Sequence, residues 1–300
     1  MSIKNFIRSL TPSFALQIFR SIKKKRRRNT IEKDLESGLA LSCADLENQF
    51  RSIGLREGDS VLVHCAFSKI GPVSGGPATF IQALKNTVGL NGNILMPSSP
   101  NDSFQLDYIQ KIKSFDVQNE PSKMGWLSEV FRKSEQVFRS AHPAEPVCAW
   151  GKDAKWLTEN HEIDGTAYGL NSPFYKLTEI NGKILYIGVT LDNAGTSLHI
   201  LEDAVPNFPF PVYRPETYSI SILNEGKSYV VTTKVHNPEQ SKKRKCDALL
   251  PLFESEKVAF QVKIGNAPTW LFEAQPMFKV MMREFQENGI TMYTPKGKFE

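Results

Sequence analysis

The chain has 300 residues, 40% hydrophobic and 23% charged, which excludes an intrinsically disordered or membrane-embedded protein and leaves ample length for a substantial core. The formal charge of +5 belongs to one end: residues 1–28 hold nine Lys and Arg and no acid, so residues 29–300 stand at −4. Cys43, Cys65, Cys148 and Cys246 lie far apart with no Cys-x-x-Cys pair, and with the five histidines they form no zinc-ligand spacing. Reduced thiols in a cytosolic protein, and no metal, are therefore expected.

In chain order, Thr11-Pro12 reads as an N-cap with proline at the first helical position. Phe14, Ile18 and Ile22 then recur every four residues opposite Ser13, Gln17, Arg20 and Lys24, leading into the basic run Lys23–Arg28. This predicts an amphipathic basic tail over 1–36, ahead of a catalytic domain over 37–300. Such a helix can lie on anionic lipid, at about 1 kcal/mol per charge near the surface. A nucleic-acid or nuclear signal and an organelle transit peptide are rival readings, although nucleic acid is not the expected partner. A fourth reading packs the apolar face on the body or on a second subunit of a homo-oligomer. Pro12, Gln17 and Arg20 interrupt any secretory h-region. The expected location is cytoplasmic, with the tail on the inner face of the membrane.

Helical periodicity runs over Leu39–Leu55, followed by a turn and the short β-branched strand Ser60–His64. A glycine-rich turn at 71–76, a helix over Ala78–Val88, a turn at Asn91-Gly92 and a strand at Asn93–Pro97 complete a βαβ unit. Residues 98–122 read as an irregular, substrate-facing loop. A helix over Trp126–Lys133 and strands at Val147–Trp150 and Ile184–Val189 follow. Thr217–Leu223 and Lys227–Lys234 alternate around Asn224-Glu225-Gly226, a hairpin signal, and a last helix spans Pro276–Asn288. The fold class is α/β: a mixed, largely parallel sheet covered by helices, with a hairpin-rich C-terminal part.

Three segments carry chemistry. His199 and Glu202, after the apolar run 184–189 and a polar turn, share one face of a predicted helix. An imidazole with an orienting carboxylate is what proton transfer needs, and open α/β sheets place ligands at the carboxyl ends of their strands. Many His-x-x-Glu pairs are ordinary surface contacts, so the pair alone does not decide. Residues 61–77, with Cys65, Ser68, Gly75 and Gly76, have the physics of a phosphate or pantetheine cradle, but a tight structural turn explains them equally. His142 precedes Pro143, which holds it extended, so it either presents its ring from a loop into a cleft or packs on Trp150.

Taken in order, these segments resemble the aminoglycoside 3-N-acetyltransferase family. Leu55–Asp59 with Val61–Gly76 looks like the family's opening motif, and Asn93–Pro97 like its G-T-L-V-M-P strand. Gly125–Arg132 looks like G-x-L-x-E-x-F-R, Arg139–Pro143 like R-S-x-H-P, and Asn171–Pro173 like x-S-P. Gly182–Val189 with Thr196–Glu202 looks like G-K-I-L-L-L-G-V…T-x-L-H-x-x-E, and Gly265–Ala267 with Leu271-Phe272 like a stretch near the family's C-terminus. The resemblance spans about residues 40–290. It implies acetyl transfer from acetyl-CoA to an amine on an amino sugar. His199 is then the base oriented by Glu202, with His142 the second candidate, as base or as a donor to the thioester carbonyl. The resemblance puts Cys65, Ser68, Gly75 and Gly76 on the CoA side, and Ser197 in an oxyanion-type role.

The chain departs from the family pattern at Cys65-Ala66, where two serines are usual, at Pro146, and by one extra residue in the turn Asn193–Gly195. A polycationic antibiotic favours an anionic pocket, for which Glu202, Asp203, Asp102 and Asp107 are the candidates. Two rivals remain: a membrane-surface N-acyltransferase of surface-glycan synthesis, and a non-catalytic binding protein on the same scaffold. A Cys65 nucleophile is not expected, because His64 beside it on a strand points to the opposite face.

Overall fold

A computed structural model of the chain describes residues 40–101 and 103–297. The expected tail helix over residues 11–28, and Asp102, lie outside them. The strands are β1 (Ser60–Cys65), β2 (Asn93–Pro97), β3 (Ser114–Asp116), β4 (Phe138–Arg139), β5 (Val147–Gly151), β6 (Lys183–Ile187), β7 (Tyr218–Asn224), β8 (Lys227–Thr233), β9 (Ala259–Ile264) and β10 (Ala267–Glu273). Seven of them form one mixed sheet in the order β4-β5-β2-β1-β6-β10-β9. Its centre, β2-β1-β6, is parallel, and the flanking pairs are antiparallel. The predicted βαβ unit is there: β1, the helix Pro77–Val88, then β2 in parallel register.

Alternation along the central strands makes two apolar faces. Leu62, Leu95, Ile184 and Tyr186 face a core built with Phe174 and Leu177 of the helix Pro173–Glu179 and Met277 and Met281 of the helix Ala274–Asn288. Val61, Val63, Ile94, Met96 and Leu185 face the opposite way, onto Leu46 and Phe50 of the helix Cys43–Ser52 and Phe80 and Leu84 of Pro77–Val88. The result is three layers, helix on sheet on helix. The first helix starts at a capping box, with the Ser42 hydroxyl accepting from Asp45 N–H at 3.2 Å and Asp45 accepting from Ser42 N–H at 2.9 Å.

A second sheet, β3-β7-β8, carries an apolar cluster of its own around Phe115, Ile220 and Ile222. Its hairpin turns through Glu225 and Gly226, both at positive φ (49° and 76°), the two-residue geometry that matches strand twist. The segment 98–122 is not wholly irregular: it contains the short helix Gln105–Ile109 and β3, which pairs parallel with β7. Among the described residues no helix is long and apolar enough to cross a membrane.

Candidate active site

A cleft of about 180 Å³ opens at the carboxyl ends of β1, β2 and β6, between His64 and Cys65, Pro97, Ser128, Val189 and Thr196. Strand ends are where an open α/β sheet leaves a crevice. The His64 ring stacks on Tyr186 at 4.8 Å, and its Nε2 lies 3.4 Å from Thr196 Oγ1. Burial drives the His64 pKa down to about 3, so it stays neutral. Cys65 takes the other face, packing towards Val61 and Val63, and burial pushes its thiol up out of nucleophilic range.

Thr196 begins a single-turn 3₁₀ helix, Thr196–His199, that continues directly into the helix Ile200–Ala204. This continuity keeps His199 and Glu202 one turn apart on one face. His199 Nδ1 lies 3.0 Å from Glu202 Oε2, and both side chains are buried. The same oxygen accepts from His236 Nε2 at 2.8 Å, while Oε1 accepts from the Tyr293 hydroxyl at 2.7 Å. Tyr168 walls both imidazoles, 4.7 Å from His199 and 5.3 Å from His236, and Tyr213 stacks on the far side of His236 at 4.9 Å.

Burial works to raise the Glu202 pKa, but the two histidines outweigh it and hold the carboxyl well below its usual range. His199 is brought down to about 3, chiefly by burial, with Arg244 adding to the effect against Glu202. Arg244 Nη1 donates to His199 Nε2 at 2.9 Å, and a guanidinium can only donate. The imidazole proton therefore sits on Nδ1 facing Glu202, and the lone pair sits on Nε2. His199, Glu202 and His236 have ligand atoms within 4.8 Å of one another. The Arg244 cation on the far nitrogen of His199 opposes a metal there, so Glu202 is shared between a hydrogen bond to His236 and a close charge contact with His199 Nδ1.

His142 is elsewhere. It is fully buried, its Nδ1 accepts from the backbone N–H of Ala144 and Glu145 at 3.3 and 3.2 Å, and its Nε2 donates to Thr233 Oγ1 at 3.1 Å. Both nitrogens are occupied, so the ring is not presented to the cleft, and its aromatic neighbour is His161 at 4.9 Å rather than Trp150. Ser197 is likewise buried, beside the Tyr186 hydroxyl, while its neighbour Thr196 reaches the cleft wall.

Gly75 and Gly76 stand at φ 74° and 66° at the N-terminus of Pro77–Val88, and Ser68 is exposed on the turn Phe67–Lys69. A Cβ on Gly76 would come within 3.3 Å of the Trp126 ring, beside Leu127 on the cleft wall. The glycine turn and the cleft are therefore neighbours. Among the described residues the candidate acids do not converge on the cleft: Glu202 is enclosed by its partners, Asp203 accepts from the Tyr213 hydroxyl at 2.9 Å, and Asp107 accepts from Ser103 at 2.9 Å.

Sequence reasoning missed His236, Tyr293, Tyr168 and Arg244. They reach Glu202 and His199 from β-hairpin, loop and C-terminal segments with no fixed spacing to the pair. A visible signal existed only for Arg244, in the basic run Lys242–Lys245.

The family described as "Aminoglycoside 3-N-acetyltransferase" matches residues 62–286. Aminoglycoside N(3)-acetyltransferase III of Pseudomonas aeruginosa is 28% identical over 247 residues, covering 78% of this chain and 89% of that protein. The SPbeta prophage-derived aminoglycoside N(3')-acetyltransferase-like protein YokD of Bacillus subtilis is 30% identical over 177 residues, 54% of this chain and 64% of that one. Among solved structures, AAC-VIa bound to sisomicin superposes with TM-score 0.66 at 30% identity, over 82% of this chain and 98% of its own. AAC-IIIb in binary complex with CoASH gives 0.68 at 25% identity, over 82% and 97%. Acetyl-CoA is the co-substrate of these acetyltransferases. The chain belongs to the aminoglycoside 3-N-acetyltransferase family of acyltransferases.

Proposed function

We propose that this protein transfers the acetyl group of acetyl-CoA to an amine of an amino sugar, with His199 as general base and Glu202 orienting it. The observation that carries the reading is the tautomer: Glu202 takes the Nδ1 side of His199 at 3.0 Å and leaves the Nε2 lone pair on the opposite side, under Arg244. Names of relatives that act on aminoglycosides, and a relative holding sisomicin, support the amino-sugar class.

A sugar amine is mostly ammonium at neutral pH. It gives one proton to His199 Nε2 once Arg244 has moved aside, and the freed nitrogen attacks the thioester carbonyl. As the C–N bond forms, the C–S bond breaks; the nitrogen loses a second proton and the departing CoA sulfur takes one, so one proton reaches solvent. The Glu202 carboxylate stabilises the transient imidazolium. Base assistance of this kind is worth about 10²- to 10⁴-fold. The Gly75-Gly76 turn and the following helix N-terminus suit a phosphate or the pantetheine of CoA, flanked by Cys65 and Ser68. Ser197, one residue from the cleft wall, is assigned to the thioester oxygen on family likeness alone.

The test is thiol release from acetyl-CoA with a panel of amino sugars, for the wild type and His199→Ala, alongside calorimetric CoA binding. His199→Ala is expected to lose at least 10²-fold in turnover with CoA affinity intact. Near-normal turnover removes His199 from the role. Silence with every amine favours a binding protein on this scaffold.

A further inference from the structure

Trp126 is the most exposed aromatic side chain among the described residues, at 64%, and it stands beside the cleft. Its position is fixed from below. Gly125, at φ 110°, turns the chain into the helix Trp126–Arg132, whose Leu127 and Phe131 are buried and whose Ser128 hydroxyl donates to Pro97 O at the end of β2. The indole meets the Phe67 ring edge to face at 5.9 Å, Phe67 meets Phe80 at 5.8 Å, and Phe80 meets Phe50 at 5.3 Å. A column of four rings thus runs from the core to the surface, and its outer end is held in place but left uncovered.

An indole so exposed keeps a large apolar surface in water, and a ring already immobilised loses little freedom when a flat partner stacks on it. Its neighbour is the glycine turn: a Cβ on Gly76 would come within 3.3 Å of the indole. Met124, two residues before Trp126 and 38% exposed, lines the cleft and extends the apolar surface into it. Leu127 and Phe131 pack with Phe80 and Leu84 on one face of the sheet, whereas Leu198 and Ile200, on either side of His199, pack into the core on the other. The cleft at the strand ends lies between the two faces. A donor laid along the Trp126 side would bring its thioester to the cleft from the face opposite the base.

We propose that Trp126 is the stacking platform for the adenine ring of acetyl-CoA, with the diphosphate at the Gly75-Gly76 turn and the pantetheine arm passing Met124 into the cleft. The inference rests on the acetyl-transfer reading for the place of the donor and adds a binding residue that the reading does not contain. Every nucleobase presents a π face, and removing one aromatic partner from a stacked base weakens binding by about tenfold. The indole would act on the base alone, so its contribution should vanish for a donor fragment that lacks the nucleoside.

The full-length protein is titrated by calorimetry with CoA and with 4′-phosphopantetheine, which has no adenosine. Trp126→Ala is expected to weaken CoA binding about tenfold and to leave 4′-phosphopantetheine within about twofold of the wild type, while Trp126→Phe recovers most of the loss. KM for acetyl-CoA should rise in parallel, with kcat and KM for the amino sugar nearly unchanged. Unchanged CoA affinity in Trp126→Ala overturns the proposal. Equal weakening of both ligands also overturns it, by giving the indole to the pantetheine arm. A higher KM for the amino sugar with CoA affinity intact gives the ring to the acceptor, and Trp126→Phe as weak as Trp126→Ala denies stacking; either result counts against the platform. A wild type that does not bind CoA sinks the acetyl-transfer reading together with this one. Trp126-dependent CoA binding without thiol release from acetyl-CoA would sink that reading alone and leave the platform standing.

Discussion

Arg244 Nη1 sits 2.9 Å from His199 Nε2, on the lone pair that a base would use. Burial is the larger cause of the low His199 pKa, about 3, and the guanidinium adds to it. Arg244→Gln removes the charge and keeps a hydrogen-bonding side chain, so the imidazole pKa should rise from about 3 towards the ordinary value of about 6.5. An NMR titration of the His199 ring in the variant and the wild type measures this. An unchanged midpoint would mean that the arginine exerts no field on the imidazole.

His142 is expected to matter for stability and not for the chemical step. Replacing it by alanine strands the backbone N–H groups of Ala144 and Glu145 and opens a cavity beside His161, whereas the Thr233 hydroxyl keeps its bond to Lys234 O at 2.9 Å. Each buried group left unpaired costs about 1–3 kcal/mol. Urea unfolding should register a loss of about 3–5 kcal/mol in total, whereas kcat per folded molecule should stay within about twofold. A drop of a hundredfold in kcat at full folding would restore His142 as a catalytic candidate.

How much of this was legible beforehand differs by element. Ser60–Cys65, Pro77–Val88 and Asn93–Pro97 were readable because alternation, a glycine turn and an Asn-Gly turn agreed with one another. The helices Ala154–Thr158 and Pro173–Glu179 carry too few residues for a period to show. His199–Glu202 was visible because its partners are three residues apart. The rest of the Glu202 shell was not, since His236 and Tyr293 arrive 34 and 91 residues downstream through tertiary packing. His142 misled for a related reason: proline fixed its backbone, but the second sheet, through Thr233, decided where its ring would go.

Asp203 supplies a pH test. Burial, chiefly, raises its carboxyl from 3.8 to about 6, so the folded state favours the protonated form. Its share of stability is full below the unfolded value and is lost as pH rises through about 6, by roughly 2–3 kcal/mol. Asp203→Asn cannot ionise. Its stability relative to the wild type should therefore climb between pH 4 and about 6 and level off above. Urea midpoints for the two proteins across that window check it, and a pH-independent difference counts against the assignment.

Gly75→Ala probes the donor side. The backbone there is at φ 74°, which costs a β-carbon about 1–2 kcal/mol, and the new Cβ would lie 2.4 Å from Thr79 Oγ1. The positive φ strains the turn and Thr79 must give way, and KM for acetyl-CoA is expected to rise severalfold with kcat nearly unchanged. Equal KM values would take the glycine turn out of CoA binding.

The nine positive charges of residues 1–28 predict partitioning onto anionic vesicles that weakens with salt. Co-sedimentation of the full chain with and without those residues tests it, and unchanged binding on deletion removes the membrane role.

The Tyr293 hydroxyl on Glu202 has a consequence for how the enzyme is made. During synthesis the chain emerges from its N-terminus at about 5–20 residues per second. The parallel centre of the sheet is complete once residue 187 is out, about a hundred residues before Tyr293 can reach the carboxylate. Until then Glu202 lacks its third hydrogen bond and Arg244 has no docked C-terminal segment to rest against. The parallel strands can pair early, but the core face that takes Met277 and Met281 and the shell around Glu202 wait for the last segment, so a C-terminally clipped chain would lack both part of its core and the third bond to Glu202.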